Sequence, residues 1–306
     1  GRISPGCLGL WDDATEAAMG DTLHRARALA PTTPVCIQLS HAGRKASSAA
    51  PWHGGQQLTK AQGGWEAFGP SALPHLPHET PPTAMPPDYL IQVREAFVAA
   101  ARRAQRIGVD AVELHAAHGY LLHQFLSPLA NQRTDAYGGN FENRIRYVME
   151  VFAAVRQGFQ GSLGVRLSAT DWVDGGWDIA QSEVLAQRLK AAGCDFIHVS
   201  SAGVSSLQKI AVGPNFQVPF AQQIRAASGM ATLAVGMITE ARQAEAILQA
   251  GDADLIALAR AFLYQPRWGW QAAAALGGTV TAREAYWRCL PREAQAIFGK
   301  VSIGMR

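Results

Sequence analysis

Six short apolar runs, each followed by a stretch with helical periodicity, constrain this chain more than any other feature. The runs occupy residues 35–40, 108–114, 163–168, 194–200, 231–236 and 253–259. Helical patterns cover 12–30, 89–107, 144–157, 179–192, 220–227 and 240–250, and the chain from Arg260 onward reads as helical with a proline-punctuated tail. Runs this apolar suit strands buried on both faces, and strand–helix alternation implies a parallel sheet with helical crossovers. Two architectures compete, an open doubly wound sheet and a (β/α)8 barrel. No Gly-x-Gly-x-x-Gly follows a strand, which counts against a dinucleotide-binding domain. The expected fold is therefore α/β, a (β/α)8 TIM barrel in one domain over 1–306. Six strands do not close such a barrel, so its first two strands are expected to be missing from this chain. The tail at 274–306 offers no strand pair to replace them.

Composition bounds the partners. A hydrophobic share of 48% leaves ample core, and a net charge of +3 with no basic block gives no reason to expect nucleic acid. No apolar run approaches the roughly 20 residues that span a bilayer, and the opening residues lack a secretory leader pattern. The four cysteines form no C-x-x-C pair; Cys36 and Cys194 fall in or beside strand runs and are expected as buried thiols. The cytoplasm is the expected compartment. Residues 46–89 break the rhythm with eight prolines and with Trp52 and Trp65. So long an excursion in a compact domain usually serves as a lid or binding loop.

The chemistry-bearing residues cluster at run ends. The second run leads into Glu113-Leu-His-Ala-Ala-His-Gly-Tyr120, and barrel chemistry is done at the C-terminal ends of strands. His115 and His118 have three readings. As metal ligands they lack a third partner, so no metal is expected; as a structural pair they would simply pack; as paired donors they could grip a carbonyl or nitro oxygen while charge builds on it. Tyr120 follows Gly119, which permits a sharp turn; its phenol is a poor base but a usable proton donor, or else a rim tyrosine. Gln38 and Arg166 are polar residues within apolar runs. An amide offers a donor and an acceptor, and a guanidinium stabilises an anionic ring or enters a barrel salt bridge. Phosphate in these barrels binds after the last two strands, here at Gly236, Met237, Ala259 and Arg260, where backbone N–H groups and the guanidinium would meet a dianion. Trp172 and Trp177 could form an aromatic wall or pack a loop.

Together with Asn131-Gln-Arg-Thr-Asp-Ala-Tyr-Gly-Gly-Asn-Phe-Glu-Asn-Arg144, the His-x-x-His-Gly-Tyr strand end resembles the Old Yellow Enzyme family of FMN-dependent ene-reductases. His41-Ala-Gly-Arg-Lys45 and the segment from Trp52 to Pro70-Ser-Ala are similar to its thermophilic-like and xenobiotic-reductase branch. The resemblance implies FMN as cofactor, NADPH or NADH as reductant, and an activated alkene as small-molecule substrate. It implies that His115 and His118 hold the activating oxygen and that Tyr120 protonates Cα. It places Gln38 and Arg166 on the flavin, and Gly236, Met237, Ala259 and Arg260 on its phosphate. Relatives commonly carry Gly-Arg where this chain has Ala259-Arg260. By the same resemblance Gly1 falls in the loop after the second barrel strand, and Arg288, in Tyr286-Trp-Arg288, reaches the substrate site of a neighbouring subunit in a homo-oligomer, dimer or tetramer. The rival expectation is a non-catalytic fragment, or a flavin-free binding protein derived from the barrel.

Overall fold

The computed structural model describes residues 1–301, apart from the side chains of 292, 293 and 295. Its elements run α1 (Asp13–Leu29), β1 (Cys36–Leu39), β2 (Phe68–Gly69), β3 (Thr83–Ala84), α2 (Pro87–Arg106), β4 (Ala111–Ala116), α3 (Leu121–Leu126) and α4 (Phe141–Gly158). They continue with β5 (Ser162–Ser168), α5 (Ile179–Ala191), β6 (Phe196–Ser200), α6 (Val218–Ser228), β7 (Ala231–Ala234), α7 (Ala241–Gln249), β8 (Leu255–Ile256), α8 (Arg260–Tyr264) and α9 (Trp268–Leu276). Strands β1, β4, β5, β6, β7 and β8 form one sheet in chain order, with every pairing parallel. These are the six runs identified above.

Alternation along each strand divides the polar from the apolar residues. Val112, Leu114 and Ala116 of β4 share one face, as do Leu163, Val165 and Leu167 of β5 and Ile197 and Val199 of β6, and all are fully buried. Successive side chains point to opposite faces, so Glu113 and His115, Gly164 and Arg166, and His198 and Ser200 turn to the inner face. The helices cover the apolar face. In α2, Pro87 sits at the first turn, where no N–H is needed, and Leu90, Val93, Phe97, Ala101 and Ala104 recur at helical spacing and are buried. In α4, the Asn140 side chain caps the Asn143 N–H, which starts the helix at Phe141, three residues before the expected Arg144. Ile145, Val148, Val151, Phe152 and Val155 of this helix are buried. Truncating a fully buried side chain such as Phe152 to alanine should cost about 3–5 kcal/mol.

Three expectations change, and one pair of alternatives is decided. Gly108, at φ 82°, closes α2, so the strand expected at 108–114 begins at Ala111 and runs on to Ala116, placing His115 inside it. Cys36 is exposed while Cys194 is buried, because β1 has a neighbour on one side only. Leu255, on the other end strand, is 54% exposed for the same reason. The expected tail at 274–306 starts inside α9, which ends at Gly277 in a left-handed cap; residues 302–306 lie outside the described residues. Trp177 is a packing residue: it is fully buried, stacks on Phe141 at 5.9 Å and donates to Ser182 Oγ at 2.6 Å.

The 46–89 excursion carries short turns and the parallel pair β2–β3. Arginines from the barrel pin it down. Arg133 Nη1 donates to Pro70 O and Met85 O, both at 2.9 Å, and Arg44 Nη1 reaches Pro74 O at 3.2 Å.

Candidate active site

Strand β4 delivers its last residues into a tight turn, closed by the Tyr120 N–H donating to Ala117 O at 3.2 Å. His118 and Gly119 both take left-handed backbone, φ 59° and 72°. The glycine is required, since a Cβ there would stand 2.1 Å from Gly203 O. Side chains from β5, from α3 and from the segment after β1 hold this turn. The His118 N–H donates to Ser168 Oγ at 2.9 Å. Lys45 Nζ donates to His118 O at 2.8 Å and Gly203 O at 2.5 Å. The Gly119 N–H donates to His123 Nδ1 at 2.8 Å. Gln124 Nε2 donates to Gly119 O at 2.7 Å.

The turn brings three of the expected residues together. The His115 ring lies 5.1 Å from the His118 ring, edge to face, and 5.1 Å from the Tyr120 ring. His118 Nε2 meets Ser200 Oγ at 2.7 Å, whereas His115 Nδ1 is buried without a partner. Burial, with the Arg166 charge added, pushes His115 down to about 3 and His118 to about 2. Both imidazoles are therefore neutral at physiological pH, each with one N–H to give and one lone pair. Burial also raises the Tyr120 phenol, so it keeps its proton. Lys45 Nζ stands 5.6 Å from the centre of the Tyr120 ring, and burial together with Arg44 lowers its ammonium to about 8.

On the inner face below, Arg166 is in register with His115 on one side and His198 on the other. Its Nε is buried and unpartnered, as is Nε2 of His198. Glu113 joins two elements here, taking Gln38 Nε2 at 2.5 Å on one oxygen and pairing with His198 Nδ1 at 2.9 Å on the other. Burial opposes ionisation of Glu113, but His198, Gln38 and Arg166 outweigh it and hold its carboxyl below the usual range. Gln38 corrects an expectation: it is exposed rather than enclosed, because β1 is an end strand, and its amide N–H is already engaged.

The remaining expected residues lie elsewhere. Gly236 and Met237 follow β7 with φ 115° and 50°, and Met237 is 42% exposed. Gly236 sits at a φ that side chains rarely adopt, and a Cβ there would meet Gln217 Nε2 at 2.4 Å, so the backbone conformation itself favours glycine. Ala259 and Arg260 are exposed at the start of the five-residue α8. Arg288 is exposed on the tail, whose neighbour Tyr286 packs against Trp270 of α9 at 5.7 Å. No described contact joins it to His115, His118 or Tyr120. Sequence reasoning gave no role to Lys45, Glu113, His198, His123 or Asp171. The available signal was a charged or imidazole side chain in a segment otherwise buried.

Shallow depressions on the outer helical surface, around Arg94 and Arg102 and around Arg146 and Arg188, are remote from these strand ends. Among the described residues no group of three or more His, Cys, Asp or Glu side chains is placed to hold a metal, and no described helix is long and apolar enough to cross a membrane.

Parallel strands in chain order, with neutral imidazoles, a phenol and a half-buried guanidinium at their C-terminal ends, define an enzyme of the α/β-barrel class. Comparison with known proteins narrows this: the chain belongs to the NADH:flavin oxidoreductase / NADH oxidase family, whose model matches residues 5–277. The NADPH dehydrogenase of Halalkalibacterium halodurans is 41% identical over 286 residues, covering 94% of this chain and 79% of that protein. The NADPH dehydrogenase of Bacillus subtilis is 40% identical over 288 residues, covering 94% and 80%. Morphinone reductase superposes with a TM-score of 0.70 at 29% identity, over 90% of this chain and 73% of its own. This chain is thus a flavin-dependent oxidoreductase that uses FMN with NAD(P)H. Its residues fit such a group. Arg166 Nε is a buried polar atom with no partner in the protein, as a contact to the edge of a polar heterocycle requires.

Proposed function

We propose that this protein reduces the activated C=C bond of α,β-unsaturated carbonyl or nitro compounds. The observation that carries the reading is the grouping of two neutral imidazoles and a protonated phenol around one strand end. FMN, when bound, supplies the hydride that it takes from NAD(P)H. His115 and His118 hold the carbonyl or nitro oxygen, and their N–H groups oppose the negative charge that builds there as the alkene is attacked. Tyr120 gives its proton to Cα, an acid role that suits a phenol kept protonated by burial. Arg166, Gln38, Gly236, Met237, Ala259 and Arg260 are the residues that would hold FMN, with Arg166 at the ring and the last four at the phosphate. Arg288 acts, in this reading, at the substrate site of a neighbouring copy in a homo-oligomer.

The test is an absorbance spectrum of the purified chain incubated with excess FMN. A bound flavin band that bleaches with NADPH and returns with cyclohexenone supports the reading. Tyr120→Phe should then slow the return by about 10²-fold, within the range of general acid catalysis, while leaving the bleaching intact. A protein that binds no flavin, or whose band returns with oxygen but not with cyclohexenone, would overturn it.

A further inference from the structure

Beneath the site lies a polar group with no role in the chemistry above. His123 and Asp171 are fully buried, and His123 Nε2 meets Asp171 Oδ1 at 2.9 Å. The other carboxylate oxygen, Oδ2, accepts from Ser127 Oγ at 2.6 Å and from the Trp177 N–H at 2.7 Å. The residue types are those of a hydrolytic triad, but the arrangement is not one. Ser127 points its hydroxyl at the aspartate instead of the imidazole, and it is fully buried, so no nucleophile is presented.

The far side of the imidazole shows what the group does. His123 Nδ1 accepts the N–H of Gly119 at 2.8 Å. A backbone N–H can only donate, so Nδ1 carries no proton and Nε2–H points to Asp171. Gly119 is the residue between His118 and Tyr120, in left-handed backbone and pressed against Gly203. We propose that Asp171, acting through the tautomer of His123, is the positioning residue that sets the turn carrying His118 and Tyr120. The chain of contacts is Asp171 to His123 to Gly119, and each link has one allowed proton placement.

An amide at 171 would break this without changing its shape. The donors Ser127 Oγ–H and Trp177 N–H both aim at Oδ2, so the oxygen of an asparagine stays there and its NH2 faces His123. Two donors cannot meet, so the imidazole must move its proton to Nδ1 and confront the Gly119 N–H.

The inference rests on the proposed roles of His118 and Tyr120, but its first test does not. In the ¹⁵N-labelled 306-residue chain, with His123 assigned by the resonance lost in His123→Asn, the wild-type ring should show the Nε2–H tautomer and the Gly119 amide should exchange slowly. In Asp171→Asn the ring should show Nδ1–H, with the Gly119 amide exposed to exchange. In the FMN-loaded enzyme that variant should lose about tenfold or more in cyclohexenone-dependent kcat, as wrong-tautomer variants do, with KM changed less than about threefold. An Nδ1–H tautomer in the wild type overturns the proposal, even if the variant does not fold. So does a tautomer switch that leaves Gly119 exchange and kcat unchanged. If no form reduces cyclohexenone, the functional reading fails by itself, and the tautomer and Gly119 exchange still decide whether Asp171 sets the turn.

Discussion

Gly119 and Gly203 meet backbone to backbone: a Cβ on the first would lie 2.1 Å from Gly203 O, and one on the second 2.5 Å from His118 Cα. Both residues are in left-handed conformation, at φ 72° and 98°. The loop after β6 is thereby locked against the turn after β4. Gly119→Ala and Gly203→Ala should each destabilise the fold by about 2–4 kcal/mol, combining backbone strain with a clash that backbone atoms cannot relieve. Chemical denaturation at neutral pH measures this. Gly139, also left-handed at φ 83° but with open space around a Cβ, is the control and should suffer the smaller loss.

His115 and His118 make stability acid-sensitive. In the folded protein they release their protons near 3 and near 2, against an ordinary value of 6.5. Between those limits the unfolded chain binds more protons, so stability rises with pH. It is complete above pH 6.5 and is lost as pH falls toward 3. A melting-temperature profile should show this limb, and His115→Asn with His118→Asn should make it shallower, leaving the share of His41 and His75, which burial lowers to about 3 and about 4. A limb unchanged in the double variant would refute the assignment.

Lys45 couples a cation to the same turn. Its ammonium, lowered to about 8, donates to two carbonyls and faces the Tyr120 ring. Lys45→Met should cost about 1–3 kcal/mol through the two unsatisfied acceptors. The wild-type rate should also bend near pH 8, where the charge beside Tyr120 is withdrawn. A steady-state pH profile in which Lys45→Met keeps that bend would contradict this origin.

Glu113 is the counter-charge of the inner face, paired with His198 and facing Arg166. Glu113→Gln removes the charge that pairs with His198 Nδ1 and takes Gln38 Nε2, and should destabilise the fold by about 1–3 kcal/mol. Urea titration of the two proteins decides. Glu113→Ala, which also strips Gln38 of its acceptor, should be the worse variant.

The parallel fold was legible in the sequence because it depends on local pattern, apolar runs and helical spacing, although the Asn140 cap that sets the start of α4 was missed. The pair His115 and His118 and the neighbouring Tyr120 were legible because they lie within six residues on one strand end. What escaped depends on distant partners. Asp171 is 48 residues from His123, and Lys45 is 73 residues from the His118 carbonyl that it binds; no window of sequence holds both ends. Gln38 misled for another reason. Its run is apolar enough for an interior strand, but burial of a strand's inner face depends on a neighbour on each side, which the run itself cannot report.

Because the six main strands lie in the sheet in the order in which they occur in the chain, each new strand meets an edge formed by the one before it. Assembly needs no strand inserted between two already paired. Loop closure is confined to one crossover at a time, and a chain emerging from its N-terminus can extend the sheet as it is made. The site follows the same timetable. The turn after β4 is synthesised well before the Gly203 backbone that locks it, so the geometry of the candidate site is fixed only once β6 and its following loop have docked.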